Sequence, residues 1–334
     1  MRPIVVHKYG GSVLRGEAAL RDVVADIART VAAGRAVVAV VSAFEGTTDA
    51  ILSRARRVTA KPARDDEALD LVLATGEMES AALLTIALID AGVPARVLNP
   101  FQIGIETDGV HGDAGVKRLD ATTLLARLAA GPAVVVPGFL GRGPNGALTT
   151  LGRGGSDLSA VAIASALRAE SCDLVKDVPG YFSADPARVA DARHRPEVTL
   201  ADALLLSRHG NDLLQDRALE WASRGDVRIV VRSLGGDPRR TEIVRDAAEP
   251  RPPVVSIAAA PGASSLVLTL VGADPPDESG VRAALAGAGL PPPLAFASRG
   301  GSAMVAVREG DGERALAALH ERFVVADVAV PGAS

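Results

Sequence analysis

At 334 residues the chain is long for one domain and comfortable for two, and apolar residues make up 48% of it, enough for a large core. Aromatics are only 3%, so that core must be aliphatic, and a net charge of −4 with no basic block argues against a nucleic-acid partner. Cys172 is the only cysteine, which excludes an intrachain disulfide and a thiolate metal site.

In chain order, short β-branched runs alternate with longer helical patterns. The runs Ile4–His7, Ala36–Ser42, Ala95–Leu98, Ala133–Pro137, Leu174–Val178 and Arg228–Arg232 predict strands. Helices are predicted near Glu17–Ala32, Thr48–Arg57, Glu67–Ala91, Ala121–Ala129, Ser156–Ala169 and Leu213–Ser223. Continuous apolar strands separated by helices mean an α/β fold, with a mostly parallel central sheet sandwiched by helices. Gly76 interrupts the long third helix, at a cost of roughly 1 kcal/mol relative to Ala, so a packing or functional reason is expected. The polar, Pro-rich Asp246–Pro253 reads as a linker. Beyond it, strands at Ser265–Val271, Leu294–Ala297, Ala303–Val307 and Val324–Val330, with helices at Glu278–Ala288 and Glu313–Phe323, predict a small βαββαβ ferredoxin-like domain. The expected division is 1–245, a linker 246–253, and 254–330. Ile4–Val6 is too short for a signal and the apolar stretch Ala81–Ile89 too short for a membrane span, so a soluble cytoplasmic protein with no membrane partner is expected.

The most informative stretch is Thr149–Asp157, TTLGRGGSD, between a strand and a helix. Gly152, Gly154 and Gly155 leave backbone N–H groups free to close on an anion at a helix N-terminus. Arg153 adds a planar fork suited to a carboxylate, and Asp157 sets an opposite charge beside it. A cation and an anion on one turn suit an amino acid; an ordinary strand-to-helix loop explains the same glycines. At the end of the first strand, Lys8 precedes Gly10, Gly11 and Ser12, a turn able to admit phosphate oxygens beside a neutralising ammonium. Ser42 and the Gly46-Thr47-Thr48 run offer hydroxyls to a carboxylate, or cap a helix. Glu77 is either a solvated helix residue or a carboxylate for an ammonium group. Asp177 and Phe182, around the Pro179-Gly180 turn, either line a nucleotide pocket or shape a turn. Gly141, Gly143 and Gly146 match a dinucleotide fingerprint in spacing only, because no helix follows; a surface turn is expected. The histidines His7, His111, His194, His209 and His320 show no ligand spacing, and no protein-held metal site is expected.

Together and in this order, HKYGGSV, VVSAFEGTT, ATGEMESAALL, ETDGVHGDA, VVPGFLG, TTLGRGGSD and KDVPGYFSADP resemble the aspartokinases of the amino acid kinase superfamily over about residues 3–245. The last ~80 residues, especially SAMVAVREGDGERALAALHERF, resemble the ACT-type regulatory domains that follow aspartokinase catalytic domains. The resemblance implies transfer of the ATP γ-phosphoryl group to the β-carboxylate of L-aspartate, with Mg²⁺ bridging phosphates. It implies that Lys8 and Asp157 are catalytic. Ser42, Thr47, Thr48, Glu77, Arg153, Gly154, Gly155 and Ser156 would hold the amino acid. Lys8, Gly10, Gly11, Ser12, Lys176, Asp177, Phe182, Asp185 and Arg188 would border ATP. It also implies a homodimer through the ACT-like domain.

Several positions depart from the family pattern. Ser12 and Val13 stand for Thr and Ser, Lys176 for the Thr or Ser before the Asp of the turn, Phe182 for Tyr, and Ala187 for Arg with Arg188 one step later. In Gly210–Arg217, GNDLLQDR, Asp212 stands for a lysine thought to face the nucleotide phosphates, and Lys176 is a candidate to compensate. There is room for one ACT domain where two are common, and Pro275 and Pro276 remove N–H donors from its first strand-to-helix segment, so weak or absent feedback inhibition by lysine or threonine is expected. A kinase of another small carboxylate and a non-catalytic homologue remain open readings at this point.

Overall fold

The computed structural model describes residues 2–59, 67–246 and 252–325. The chain divides into two compact units, Met1–Pro179 with Arg217–Arg240, and Gly180–Asp216 with Thr241–Ser334. This division does not follow the expected 245/246 boundary, because residues 180–216 group with the C-terminal part. Most of the expected linker, 247–251, lies outside the described residues.

The elements run β1 (Ile4–Tyr9), α1 (Leu20–Ala32), β2 (Ala36–Val41), α2 (Thr47–Val58), α3 (Glu67–Asp90), β3 (Ala95–Val97), α4 (Pro100–Ile103), β4 (Ile105–Thr107) and β5 (Val116–Leu119). There follow α5 (Thr122–Ala130), β6 (Ala133–Pro137), β7 (Leu140–Arg142), β8 (Leu148–Thr150), α6 (Gly155–Leu167), β9 (Ser171–Lys176), β10 (Glu197–Thr199), α7 (Leu200–Arg208), α8 (Asp216–Arg224) and β11 (Ile229–Ser233). The rest are β12 (Arg240–Val244), β13 (Ser256–Pro261), β14 (Ser265–Val271), α9 (Glu278–Gly287), β15 (Ala295–Arg299), β16 (Ser302–Arg308) and α10 (Gly312–His320).

Within the first unit, strands run β11-β9-β1-β2-β6-β3, every neighbouring pair parallel. β1, β2 and β6 are buried along their whole length, as strands covered on both faces must be. After β1 the chain adds β2, then β3 and β6, on one side; it then crosses to place β9 and β11 on the other. The order therefore reverses between β1 and β9, and in such sheets ligands bind outside the carboxyl ends of the strands at that reversal. β5-β4-β7-β8 form a second sheet, unforeseen because its strands are only three or four residues long. Its β7–β8 hairpin turns through Gly143 and Gly146, as expected of a turn, whereas Gly141 lies within β7 opposite Thr149.

Alternation along β1 sends successive side chains to opposite faces. Val5, His7 and Tyr9 meet α1, where Val5 and Tyr9 pack with Val23 and Ile27. Asp26 of α1 lies in the same interface, buried among them. It accepts from Tyr9 Oη at 2.8 Å and from both terminal nitrogens of Arg232 at 3.2 and 2.8 Å. Arg232 Nε also donates to Asp173 at 2.8 Å, so one guanidinium joins α1, β9 and β11. Burial alone would raise the Asp26 carboxyl; bonds from His7 and Arg232 override it and hold Asp26 well below the usual carboxylate range.

α3 is, by length and composition, long and apolar enough to cross a bilayer, which Ala81–Ile89 alone did not suggest. Ten of its residues are nevertheless buried, Asp70 and Glu77 among them, and it packs on β6, β8, α1 and α2. It is a core helix of its unit. Gly76 has the packing reason expected of it: a Cβ there would stand 3.0 Å from Ala43 Cβ and 3.1 Å from Thr47 Cγ2.

In the second unit, β13-β14-β16-β15 form an antiparallel sheet. Leu268 and Leu270 of β14, Val281 and Leu285 of α9, and Leu316 and Leu319 of α10 share its core. β13, absent from the sequence reading, precedes the expected elements. The expected last strand Val324–Val330 is corrected in part: Val324 and Val325 extend the end of α10 in a wider π-type turn, Glu321–Val325, because Val324 is drawn into the core cluster. Residues 326–330 lie outside the described residues.

Replacing Arg232 by Met should leave Asp26 with only Tyr9, His7 and Arg29, and half-buried Asp173 without its guanidinium partner. A loss of about 3–5 kcal/mol in urea unfolding is expected; a loss below about 1 kcal/mol would show the network to be dispensable.

Candidate active site

The site is built where β1 and β9 end. Lys8, the penultimate residue of β1, lies on the face opposite His7 and Tyr9, and its Nζ is 2.6 Å from Asp157 Oδ1. Lys176, the last residue of β9, donates from Nζ to Asp157 Oδ2 at 2.8 Å. Asp157 stands in the first turn of α6, where the helix dipole favours a negative charge. It is only 3% exposed. Burial alone would raise its pKa, but Lys176 and Lys8 override that and hold it at about 2. Burial also pushes the Lys8 ammonium down, against the pull of Asp157. The Lys8 contact is a close ion pair, yet Asp157 Oδ1 receives no aligned hydrogen bond.

The TTLGRGGSD turn owes its shape to glycine at two positions. Gly152 and Gly154 have φ of 70° and 72°, and Gly154 is the N-cap of α6. Gly155 and Ser156 are buried in the first turn of α6, whereas Arg153 projects as an exposed residue. The Gly10–Ser12 turn follows Lys8 closely, since a Cβ at Gly10 would stand 3.0 Å from Lys8 Nζ. Ser12 Oγ reaches Asp177 Oδ1 at 3.5 Å, linking the turns after β1 and β9. Asp177 itself is exposed.

β2, next to β1, ends at Val41, and half-buried Ser42 donates its N–H to Tyr9 O at 3.1 Å. Thr47 and Thr48, both half-buried, open α2. Glu77 comes close to this strand end because Gly76 lets α3 approach it. Its Oε1 accepts from Ala43 N–H at 3.3 Å. Burial raises the Glu77 carboxyl to about 7, against the backbone bonds from Ala43 and from its own N–H.

Phe182, Asp185 and Arg188 belong to the other unit. Phe182 packs edge-on against His194 with centroids 5.4 Å apart, and Asp185 accepts from Ala187 N–H at 2.9 Å. Arg188 pairs with Glu313 of α10 at 2.7 Å. The first unit alone thus brings together Lys8, Gly10, Gly11, Ser12, Asp157, Lys176 and Asp177.

Two residues that shape the site escaped the sequence reading. Arg217, the first residue of the returning segment, donates to Asp113 Oδ1 at 2.7 Å, to Ala114 O at 2.6 Å and to Leu151 O. It therefore holds the turn beside Gly152. Asp70, only 1% exposed, accepts from Thr150 Oγ1 at 2.5 Å and Gly112 N–H at 3.1 Å, and pairs with His111 at 2.7 Å. Its one sequence signal was a carboxylate in an apolar helical face.

Because its folded pKa lies above the unfolded value of 4.5, Glu77 favours folding most at low pH, and that contribution is lost as pH rises from about 4.5 to 7. Glu77→Gln should gain stability over the parent across that window, by roughly 2–3 kcal/mol at pH 8. Parallel stability–pH curves in urea would refute this.

The model of the amino acid kinase family matches residues 3–233. The chain is 38% identical over 240 residues to a Geobacillus stearothermophilus aspartokinase, covering 72% of this chain and 58% of that protein. It is 40% identical over 250 residues to a Mycolicibacterium smegmatis aspartokinase, covering 75% and 59%. It thus spans less than two thirds of the length of these relatives. Among solved structures it resembles E. coli aspartokinase III in complex with aspartate and ADP in the R-state, with a TM-score of 0.67, 24% identity and coverage of 91% of this chain and 78% of that one. Clostridium acetobutylicum aspartate kinase gives a TM-score of 0.76 at 16% identity, covering 96% and 100%. With well over half its length matched by the family model, and the two-lysine cluster at the sheet's reversal point, the chain belongs to the amino acid kinase family.

Proposed function

We propose that the chain is an aspartate kinase, transferring the γ-phosphoryl group of ATP to the β-carboxylate of L-aspartate. The observation that carries this reading is the convergence of Lys8 and Lys176 on Asp157 at the reversal point, beside a glycine turn bearing Arg153. The aspartokinase relatives, and the E. coli enzyme bound to aspartate and ADP, supply the substrate pair.

In the reaction a carboxylate oxygen of aspartate bonds to the γ-phosphorus while the bond to the β,γ-bridging oxygen breaks, leaving 4-phospho-L-aspartate and ADP. An ionised acceptor needs no general base, so the chemistry rests on alignment and charge neutralisation. Lys8 follows the phosphoryl group, with Gly10, Gly11 and Ser12 around the phosphates. Ser42, Thr47 and Thr48 orient the acceptor carboxylate; Arg153, with the backbone of Gly154, Gly155 and Ser156, takes the α-carboxylate. Glu77 and Asp157 receive the α-ammonium. Asp177, Phe182, Asp185 and Arg188 are assigned to the nucleotide side.

No group of three or more His, Cys, Asp or Glu side chains placed to hold a metal ion is present among the described residues, and Asp157 is already shared by two lysines. These residues do not fit a protein-held magnesium ion; Mg²⁺ belongs to this reading as the ion carried on the nucleotide phosphates. Residues 1–245 are assigned the catalysis and 254–330 an ACT-like role in homodimer formation, with weak or absent feedback control.

Hydroxylamine trapping with MgATP and L-aspartate should give a hydroxamate. Lys8→Ala should lower kcat by about 10²–10³. The KM for aspartate should fall as pH rises through about 7, where Glu77 ionises, and Glu77→Gln should raise KM and flatten that dependence. Absence of hydroxamate with aspartate would refute the assignment.

A further inference from the structure

Strands of a parallel sheet covered by helices are apolar on both faces, as β2 and β6 are. β9 and β11 depart from this on the side that His7 faces. Asp173 pairs in register with His7 and with Val230, so these three share a face. Ser171, two residues before Asp173, and Arg232, two beyond Val230, lie on it too. Together with part of α1 these strands wall an open groove of about 450 Å³.

The charges of that wall are unequal. Arg29, Arg35, Arg228, Arg232 and Arg240 line the groove, against Asp26, Glu170 and Asp173. Every carboxylate oxygen among them already has a donor. Asp26 Oδ1 accepts from Arg29 at 3.1 Å and Arg232 at 3.2 Å, and its Oδ2 from Tyr9 and Arg232 at 2.8 Å each. Asp173 Oδ1 accepts from Ser171 Oγ at 2.7 Å and its Oδ2 from Arg232 Nε at 2.8 Å. Arg35 holds both oxygens of Glu170, at 2.8 and 3.0 Å. The acids are thus neutralised within the wall, while guanidinium groups outnumber them. In a chain of net charge −4 this cationic excess is local. The Arg29 side chain is 66% exposed and that of Arg35 40%, so their heads are open to an arriving ligand.

We propose that this groove binds a small multivalent oxyanion, a phosphorylated or multiply carboxylated molecule, at a site separate from the kinase site. Planar guanidinium forks match both kinds of oxyanion. The volume suits a small molecule. Arg29 on α1 and Arg240 on β12 flank the floor of β1, β9 and β11, and they are assigned the ligand's charged groups. Alternation along β1 places Lys8 on the face opposite His7, so groove and kinase site can be filled together.

Calorimetric titration of the full chain with pyrophosphate, and separately with citrate, tests this, with saturating ADP present to occupy the kinase site. The parent should bind one equivalent of at least one probe. Pyrophosphate alone would mark a phosphorylated ligand, citrate alone a carboxylated one, and both the shared oxyanion chemistry. Arg29→Ala combined with Arg240→Ala should weaken that binding about tenfold to a hundredfold, the worth of charge-assisted contacts, and leave ADP binding within about twofold. Should the double variant not fold, Arg240→Gln alone takes its place, with a loss of at least about threefold expected. Neither probe binding to the parent would overturn the inference, as would equal affinity in the variant. Heats matched by sodium chloride at the same ionic strength would also overturn it, since they report screening alone. Parent and variant can be compared whether or not ADP binds, so failure of the kinase reading leaves this test intact.

Discussion

A single carboxylate held charged where water is nearly excluded sets the terms for the rest of the first unit. Asp157 is ionised there only because two ammonium groups from two strands reach it. Those strands lie on either side of the order reversal, so the ion cluster ties the two halves of the sheet to the first turn of α6. The helix adds its own dipole to the same end. Buried charge of this kind contributes little net stability. What it provides is a fixed arrangement of charges that a phosphate or an ammonium group can join without the surroundings reorganising.

The same strand carries a second buried ionic cluster on its other face. Period-two alternation sends Lys8 toward α6 while His7 and Tyr9 face α1, where Arg232 bridges Asp26 and Asp173. A one-residue slip of β1 would exchange the two sets and strand charges on both faces. Register is therefore specified twice over.

Much of this was legible in the sequence because strong local signals agreed with the global fold. The apolar runs became β1, β2, β6, β9 and β11 within a few residues, and the glycines of TTLGRGGSD pointed to a helix start that α6 makes. Gly76, flagged as a misplaced helix residue, proved to be where α3 comes close to Ala43 and Thr47. What stayed hidden lacked a local signature. The strands β4, β5, β7 and β8 are too short to display a period. Arg217 and Asp70 act across 66 and 80 residues of sequence on Leu151 and Thr150, a distance at which spacing carries no information. The partition into units was hidden too, because residues 180–216 leave and return without any change of composition.

Asp26 and Arg232 are 206 positions apart. During synthesis α1 and β1 emerge long before the guanidinium that satisfies them. Until β11 is made, the acid has only Tyr9 and His7 of β1 and the more exposed Arg29 of its own helix as partners. The chain must also complete the excursion through 180–216 before Arg217 can secure the glycine turn. Closing such long loops costs entropy that only the finished contacts return. A ribosome-bound fragment ending before residue 217 would thus contain Lys8, Asp157 and Lys176 without the guanidinium clamps that hold the surrounding loops, and completion of the site waits for Arg217 and Arg232 to emerge.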